Sequence, residues 1–109
     1  MFFDLYFWLQ MPASVNQSTR LIYLAPLQGF TDFIYRKAYN EIFEGIDAFF
    51  IPYISVKNDG VLKKYEKEIV PENNQQTRVI PQVLANNADE LLFLSKFLAD
   101  KGYKEINLN

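Results

Sequence analysis

Short apolar runs rich in β-prone residues alternate with stretches of helical periodicity between residues 21 and 109, the pattern of consecutive βαβ units. One of those runs, residues 46–51 (IDAFFI), is almost wholly apolar, as expected of a parallel strand buried on both faces. Together these observations predict an α/β fold with about four parallel strands and three helices, the N-terminal half of a (β/α)8 TIM barrel. An isolated half would leave two raw strand edges, at residues 21–25 and 104–109. The chain is therefore expected to be dimeric or aggregation-prone through those edges.

Residues 1–20 are set apart as a tail and linker. Residues 1–9 (MFFDLYFWL) are apolar but far short of the ~20 residues of a membrane span. They lack a basic n-region and carry Asp4, which argues against a secretory signal. They read as a packing or contact tail, or as sequence upstream of a true start at Met11; the polar residues 14–19 behind them read as linker.

Residues 21–25 (LIYLA) form the first strand, which Pro26 ends by restricting Ala25 and removing a ladder donor. Gly29 lets a ligand approach the backbone, and Thr31 or Asp32 caps the helix that follows, so this is a ligand-facing turn. The helix is expected over residues 31–44, with rows Ile34, Ala38, Ile42 and Tyr35, Tyr39, Phe43 on its buried side and Gly45 as its stop. Asp32 and Arg36, four apart, read first as a surface ion pair and otherwise as braces of the turn.

The second strand is expected to close at Pro52, with Tyr53 at its carboxyl end either lining a ligand mouth or, more simply, packing. Residues 58–60 (NDG) form a turn, Val61, Leu62, Tyr65 and Ile69 mark a short helix, and residues 71–76 form a polar loop. Lys57, Lys63, Lys64 and Lys67 are interleaved with Glu66 and Glu68, which favours a solvated helix face over a phosphate-binding one. Residues 78–84 read as a third strand, and Pro81 within it suggests a position at the rim of the sheet. Asn87 and Glu90 have capping-box spacing, Leu91, Leu94 and Leu98 supply a buried stripe, and Gly102 ends that helix. Residues 104–109 begin a fourth strand, with Ile106 and Leu108 on one face and Asn107 and Asn109 on the other.

The chain has no Cys and no His, so Cys/His zinc sites, disulfides, thiol catalysis and imidazole bases are excluded within these 109 residues. A formal charge of −2 gives no overall electrostatic footprint for nucleic acid.

Residues 24–36 (LAPLQGFTDFIYR) resemble the opening motif of the tRNA-dihydrouridine synthase family, roughly A-P-M-x-G-x-T-D-x-x-x-R, with Leu27 replacing the usual Met. Residues 80–84 (IPQVL) resemble that family's P-Q-[LIV] strand. Residues 105–109 (EINLN) resemble the strand that ends in Asn just before its Gly-Cys-Pro. The resemblance covers residues 21–109 and implies a partial TIM-barrel FMN-binding domain that stops within the fourth strand. It also implies that the chain is the N-terminal part of a longer cytoplasmic flavoenzyme, not a membrane protein, that uses NADPH to reduce uridine to 5,6-dihydrouridine in tRNA.

By the same resemblance Pro26, Leu27, Gln28 and Gln82 bind FMN, Asn109 lies near the uracil or its catalytic loop, and no metal is involved. The general-acid Cys is expected beyond Asn109, so that these residues alone are inactive. From the residues themselves, Gln82 and Asn109 also read as structural amides tying strand to loop. Two other functions remain open: a flavin-dependent barrel acting on a small molecule, and a non-catalytic half-barrel that self-associates.

Overall fold

The computed structural model describes residues 20–58, 60–76 and 78–109; the tail expected over residues 1–20 lies outside them except for Arg20. Four strands form one parallel sheet in the order β1 (Tyr23–Leu24), β2 (Ala48–Ile54), β5 (Val79–Val83), β6 (Asn107–Leu108), curled as half of a barrel. The crossovers carry α1 (Phe33–Ile42), α2 (Lys63–Ile69) and α3 (Ala88–Asp100), so the expected α/β half-barrel is the fold observed. The sequence did not reveal that the second crossover also holds an antiparallel hairpin, β3 (Val56–Lys57) and β4 (Gly60–Val61). Asn58 sits in the turn between them at φ 52°. The polar loop at residues 71–76 starts with a 3-10 turn, Pro71–Asn73.

The core lies between the sheet and the helices. Ile51, Ile54 and Val83 from the strands meet Tyr65 and Ile69 of α2 and Leu94 and Leu98 of α3, all buried. Each aliphatic side chain sealed this way contributes about 1.5–3 kcal/mol. Asn87 caps α3 by accepting from the Glu90 N–H at 2.9 Å, as its spacing predicts. Glu90 reaches back one residue further than a capping box requires, taking the Asn86 N–H at 2.8 Å. Gly102, at φ +98°, ends the helix: its N–H donates to Ala99 O, and the next N–H, of Tyr103, to Leu98 O.

Three expectations are corrected. Pro52 does not close the second strand, which runs on to Ile54 through an irregularity between Ile51 and Ile54. That shift brings Ile54, rather than Tyr53, into the core; Tyr53 is a half-buried strand residue.

Pro81 is likewise not at the rim: it is buried in β5, between β2 and β6. The pattern of backbone bonds explains the tolerance. Phe49 N–H donates to Arg78 O and Leu84 N–H to Ile54 O, so even-numbered residues of β5 turn their peptide groups toward β2. Asn109 N–H donates to Val83 O, so odd-numbered residues turn theirs toward β6. The donor missing at Pro81 thus falls on the β6 side, where pairing is confined to Gln82 with Asn107 and Val83 with Leu108.

The third correction concerns α1. Its two aliphatic and aromatic rows are largely exposed, Ile34 at 62% and Ile42 at 71%, and the inward stripe is Phe33, Arg36 and Tyr39. The packed face of this helix is organised around a charge.

Candidate functional site

Period-two alternation decides which residues of β5 and β6 face away from the helices. Val83 is in the helix-side core, so Gln82 turns to the inner face of the curl. Asn107 is its register partner on β6. Three amides meet there at the carboxyl ends of the strands. Gln82 Nε2 donates to Asn107 Oδ1 at 2.9 Å, and Asn109 Nδ2 lies 3.5 Å from Gln82 Oε1. The first is a well-formed hydrogen bond and the second is at the edge of one. Among the described residues no protein group takes Asn107 Nδ2 or Asn109 Oδ1. The relay therefore presents an open donor at one end and an open acceptor at the other.

The second part of the site is the turn after β1. Phe30 and Thr31 N–H groups both donate to Leu27 O, at 2.9 and 3.0 Å, and Gly29 adopts φ +80°, which a residue with a Cβ would adopt only under strain. A Cβ built on Gly29 has no heavy atom within 4 Å, so the space over the turn is open. Leu27 is 58% exposed and Gln28 is exposed, whereas Pro26 is half-buried. A cavity of about 220 Å³ lies beside the turn, bounded by Gln28 and Gly29, by Pro52 of β2 and by Lys64 and Lys67 of α2.

Polar groups below hold this turn. Thr31, 3% exposed, accepts the Leu27 N–H on Oγ1 at 2.9 Å, and Asp32 caps α1 by accepting the Tyr35 N–H at 2.8 Å. Arg36, 0% exposed, donates from Nη1 to Thr31 O at 2.8 Å and to Glu68 Oε2 at 3.0 Å, and from Nη2 to Glu68 O and Asn74 Oδ1 at 3.1 and 3.0 Å. Burial pulls the guanidinium pKa below its ordinary value, against the opposing hydrogen bond and charge of Glu68. The expected surface ion pair with Asp32 is thus replaced by a buried pair with Glu68. The other reading, that Asp32 and Arg36 brace the turn, matches the hydrogen bonds.

The structure brings Gln82 and Asn109 together and adds Asn107. Pro26, Leu27 and Gln28 sit at the same end of the sheet but on the turn after β1, separated from β5 by one intervening strand, which spaces them by roughly 10 Å. Sequence reasoning missed Glu68 and Asn74, because nothing local in α2 or the polar loop marks them as partners of a residue on α1. Among the described residues no group of acidic side chains is arranged to hold a metal ion, and no helix is long and apolar enough to cross a membrane.

The profile of the family Dihydrouridine synthase (Dus) matches residues 23–109, from the first residue of β1 to the end of the amide relay. The chain belongs to the dihydrouridine synthase family. Neither a curated protein nor a solved structure matches it. Membership makes the chain part of a family of oxidoreductases that act on tRNA and are generally flavin-dependent. Its open amide relay and uncovered turn suit a flat heterocycle with an apolar face and a hydrogen-bonding edge.

Proposed function

We propose that residues 21–109 supply the first half of the FMN-binding barrel of a cytoplasmic tRNA-dihydrouridine synthase, with residues 1–20 as a tail outside it. The observation that carries this reading is the Gln82–Asn107–Asn109 relay, whose two open ends face away from the packed helices. Asn107 is half-buried and Asn109 exposed, and a ligand edge that covered them would have to supply the partners their open donor and acceptor need.

Pro26 and Leu27 offer apolar contact for the isoalloxazine ring, Gln28 a polar group at the turn, and Gln82 an amide for the ring's pyrimidine edge. Leu27 in place of Met keeps that contact apolar. When bound, FMN reduced by NADPH supplies the hydride for the C5–C6 bond of uridine. The residues of this chain orient and desolvate. The amide relay would hold the hydrogen-bonding edge of the ring, and Asn109, at the strand end, would contact the uracil. The uridine must leave its stack to reach them. With no Cys in its sequence, the chain lacks the family's general acid, and by itself it is inactive in reduction.

The test is optical. The 109-residue chain mixed with FMN should quench flavin fluorescence saturably and show no tRNA-dependent oxidation of NADPH. Co-expression with the remainder of the barrel should give yellow protein that does turn over. Protein that stays colourless in both forms and gains no flavin absorbance from added FMN overturns the cofactor assignment. Turnover of a free pyrimidine without salt-sensitive tRNA affinity would move the reading to a small-molecule flavoenzyme.

A further inference from the structure

The least economical feature of the fold is a fully buried arginine on the inward face of α1. A desolvated ion pair is weak support for stability, because well-packed apolar residues of similar volume commonly do as well or better. Arg36 is costlier still, since its Nε is buried without a hydrogen-bond partner. What the guanidinium provides instead is geometry. Its planar fork spans two pieces of chain that are far apart in sequence, Thr31 O on one side and Glu68 Oε2, Glu68 O and Asn74 Oδ1 on the other. Asn74 in turn donates to Glu68 O and Val70 O at 2.8 and 2.9 Å, which fixes the carboxyl end of α2 as the anchor. On the other side Thr31 Oγ1 holds the Leu27 N–H, so the position of the Thr31 carbonyl sets that of the whole turn.

We propose that Arg36 is the positioning residue of the turn at residues 27–31, and that Glu68 and Asn74 hold it in register. The turn is then placed by the crossover between β2 and β5 rather than by the strand it follows. This role rests on the proposed flavin site as far as ligand affinity is concerned, but its structural half stands without it. Arg36 touches no ligand; it acts through Thr31 on the backbone that does. A lysine there keeps the charge but has no fork, and its three N–H groups cannot meet all four acceptors, Thr31 O, Glu68 Oε2, Glu68 O and Asn74 Oδ1.

The experiment compares the full chain with R36K, R36M, E68Q and the core control L98A, reading amide hydrogen exchange at Leu27 and Thr31 against Val83, and FMN affinity by fluorescence quenching. The expected result is exchange at Leu27 at least tenfold faster relative to Val83 in R36M and E68Q, with FMN bound about tenfold more weakly. R36K should fall between, and L98A should speed exchange at Val83 through lost global protection without accelerating Leu27 relative to it. Should R36M not fold, E68Q, which neutralises the anchoring carboxylate with little change in shape, carries the same comparison. A Leu27 to Val83 ratio unchanged in E68Q and R36K overturns the proposal. If the unmodified chain alone takes up no FMN, the affinity comparison moves to the co-expressed barrel, failure there overturns the cofactor reading, and the exchange ratio still decides the role of Arg36.

Discussion

Gln82 separates a structural amide from a ligand-binding one, and Gln82→Met tests the difference because it keeps the side-chain length while removing both polar ends. The loss in the free protein is bounded by one good hydrogen bond, to Asn107 Oδ1 at 2.9 Å, since the contact with Asn109 at 3.5 Å is marginal. Half-buried as it is, that bond is worth ~0.5–1.5 kcal/mol of folding stability. If Gln82 also meets the flavin edge, a second bond of similar size is lost in the complex alone, which weakens FMN about tenfold. The two losses separate in urea denaturation with and without cofactor. At an FMN concentration near 100 times its dissociation constant, the unmodified chain should gain about 2.7 kcal/mol from the ligand. The variant at the same concentration should gain only about 1.4 kcal/mol, on top of its lower baseline. An FMN-induced gain equal in both proteins would refute the reasoning and return Gln82 to a purely structural role.

Leu94→Ala removes a fully buried side chain from the centre of the helix-side core and should cost ~2–5 kcal/mol in urea denaturation, which leaves little of a small domain's stability. Asp32→Ala removes the cap on the Tyr35 N–H and should cost about 1 kcal/mol, with exchange at Tyr35 accelerated while that at Leu94 follows global stability. Tyr103 donates its hydroxyl to Ile69 O at 2.7 Å, and burial pushes its pKa up to about 12, with the charge of Arg36 pulling the other way. Because the folded pKa lies above that of an unfolded tyrosine, near ~10, its contribution is intact below that pH and is lost as pH rises toward 12. Tyr103→Phe should flatten that part of the stability profile, followed by circular dichroism and tyrosinate absorbance.

The fold was legible where local pattern and burial agree. The Leu94 and Leu98 stripe, the Asn87 cap and the Gly102 stop are all written within α3 itself, and the alternation in β6 correctly sent Asn107 and Asn109 to the same face. Helix α1 misled because hydrophobic periodicity assumes that the apolar rows face the core, whereas its packed stripe contains Arg36. Spacing alone paired Arg36 with Asp32, four residues away, because Glu68 lies 32 residues on and no local signal connects them. Pro52 and Pro81 misled for a related reason. Whether a proline is tolerated in a strand depends on which neighbour its missing donor would have faced, and that is settled only by sheet order and register. The turn at residues 26–31 was legible as a strand-to-helix turn from Pro26, Gly29 and Asp32, but its support from α2 was not.

The inner face of the curl carries polar groups at both ends. At the amino ends of β5 and β6, Arg78 and Glu105 form a two-pronged pair at 2.6 and 2.9 Å, with Tyr23 at 3.5 Å from the guanidinium. The hydrogen bonds from Arg78 hold the Glu105 carboxyl below the usual carboxylate range. That pair matches opposite charges and is well exposed, 39% at Arg78 and 49% at Glu105. Next to it, Tyr23 packs edge-on against Phe50, with ring centroids 5.7 Å apart. At the carboxyl ends the amides of Gln82, Asn107 and Asn109 bond to one another and still leave a donor and an acceptor over. The open amides lie at the end where barrel chemistry is carried out, beside a turn whose Thr31 carbonyl is held from beneath by a buried arginine.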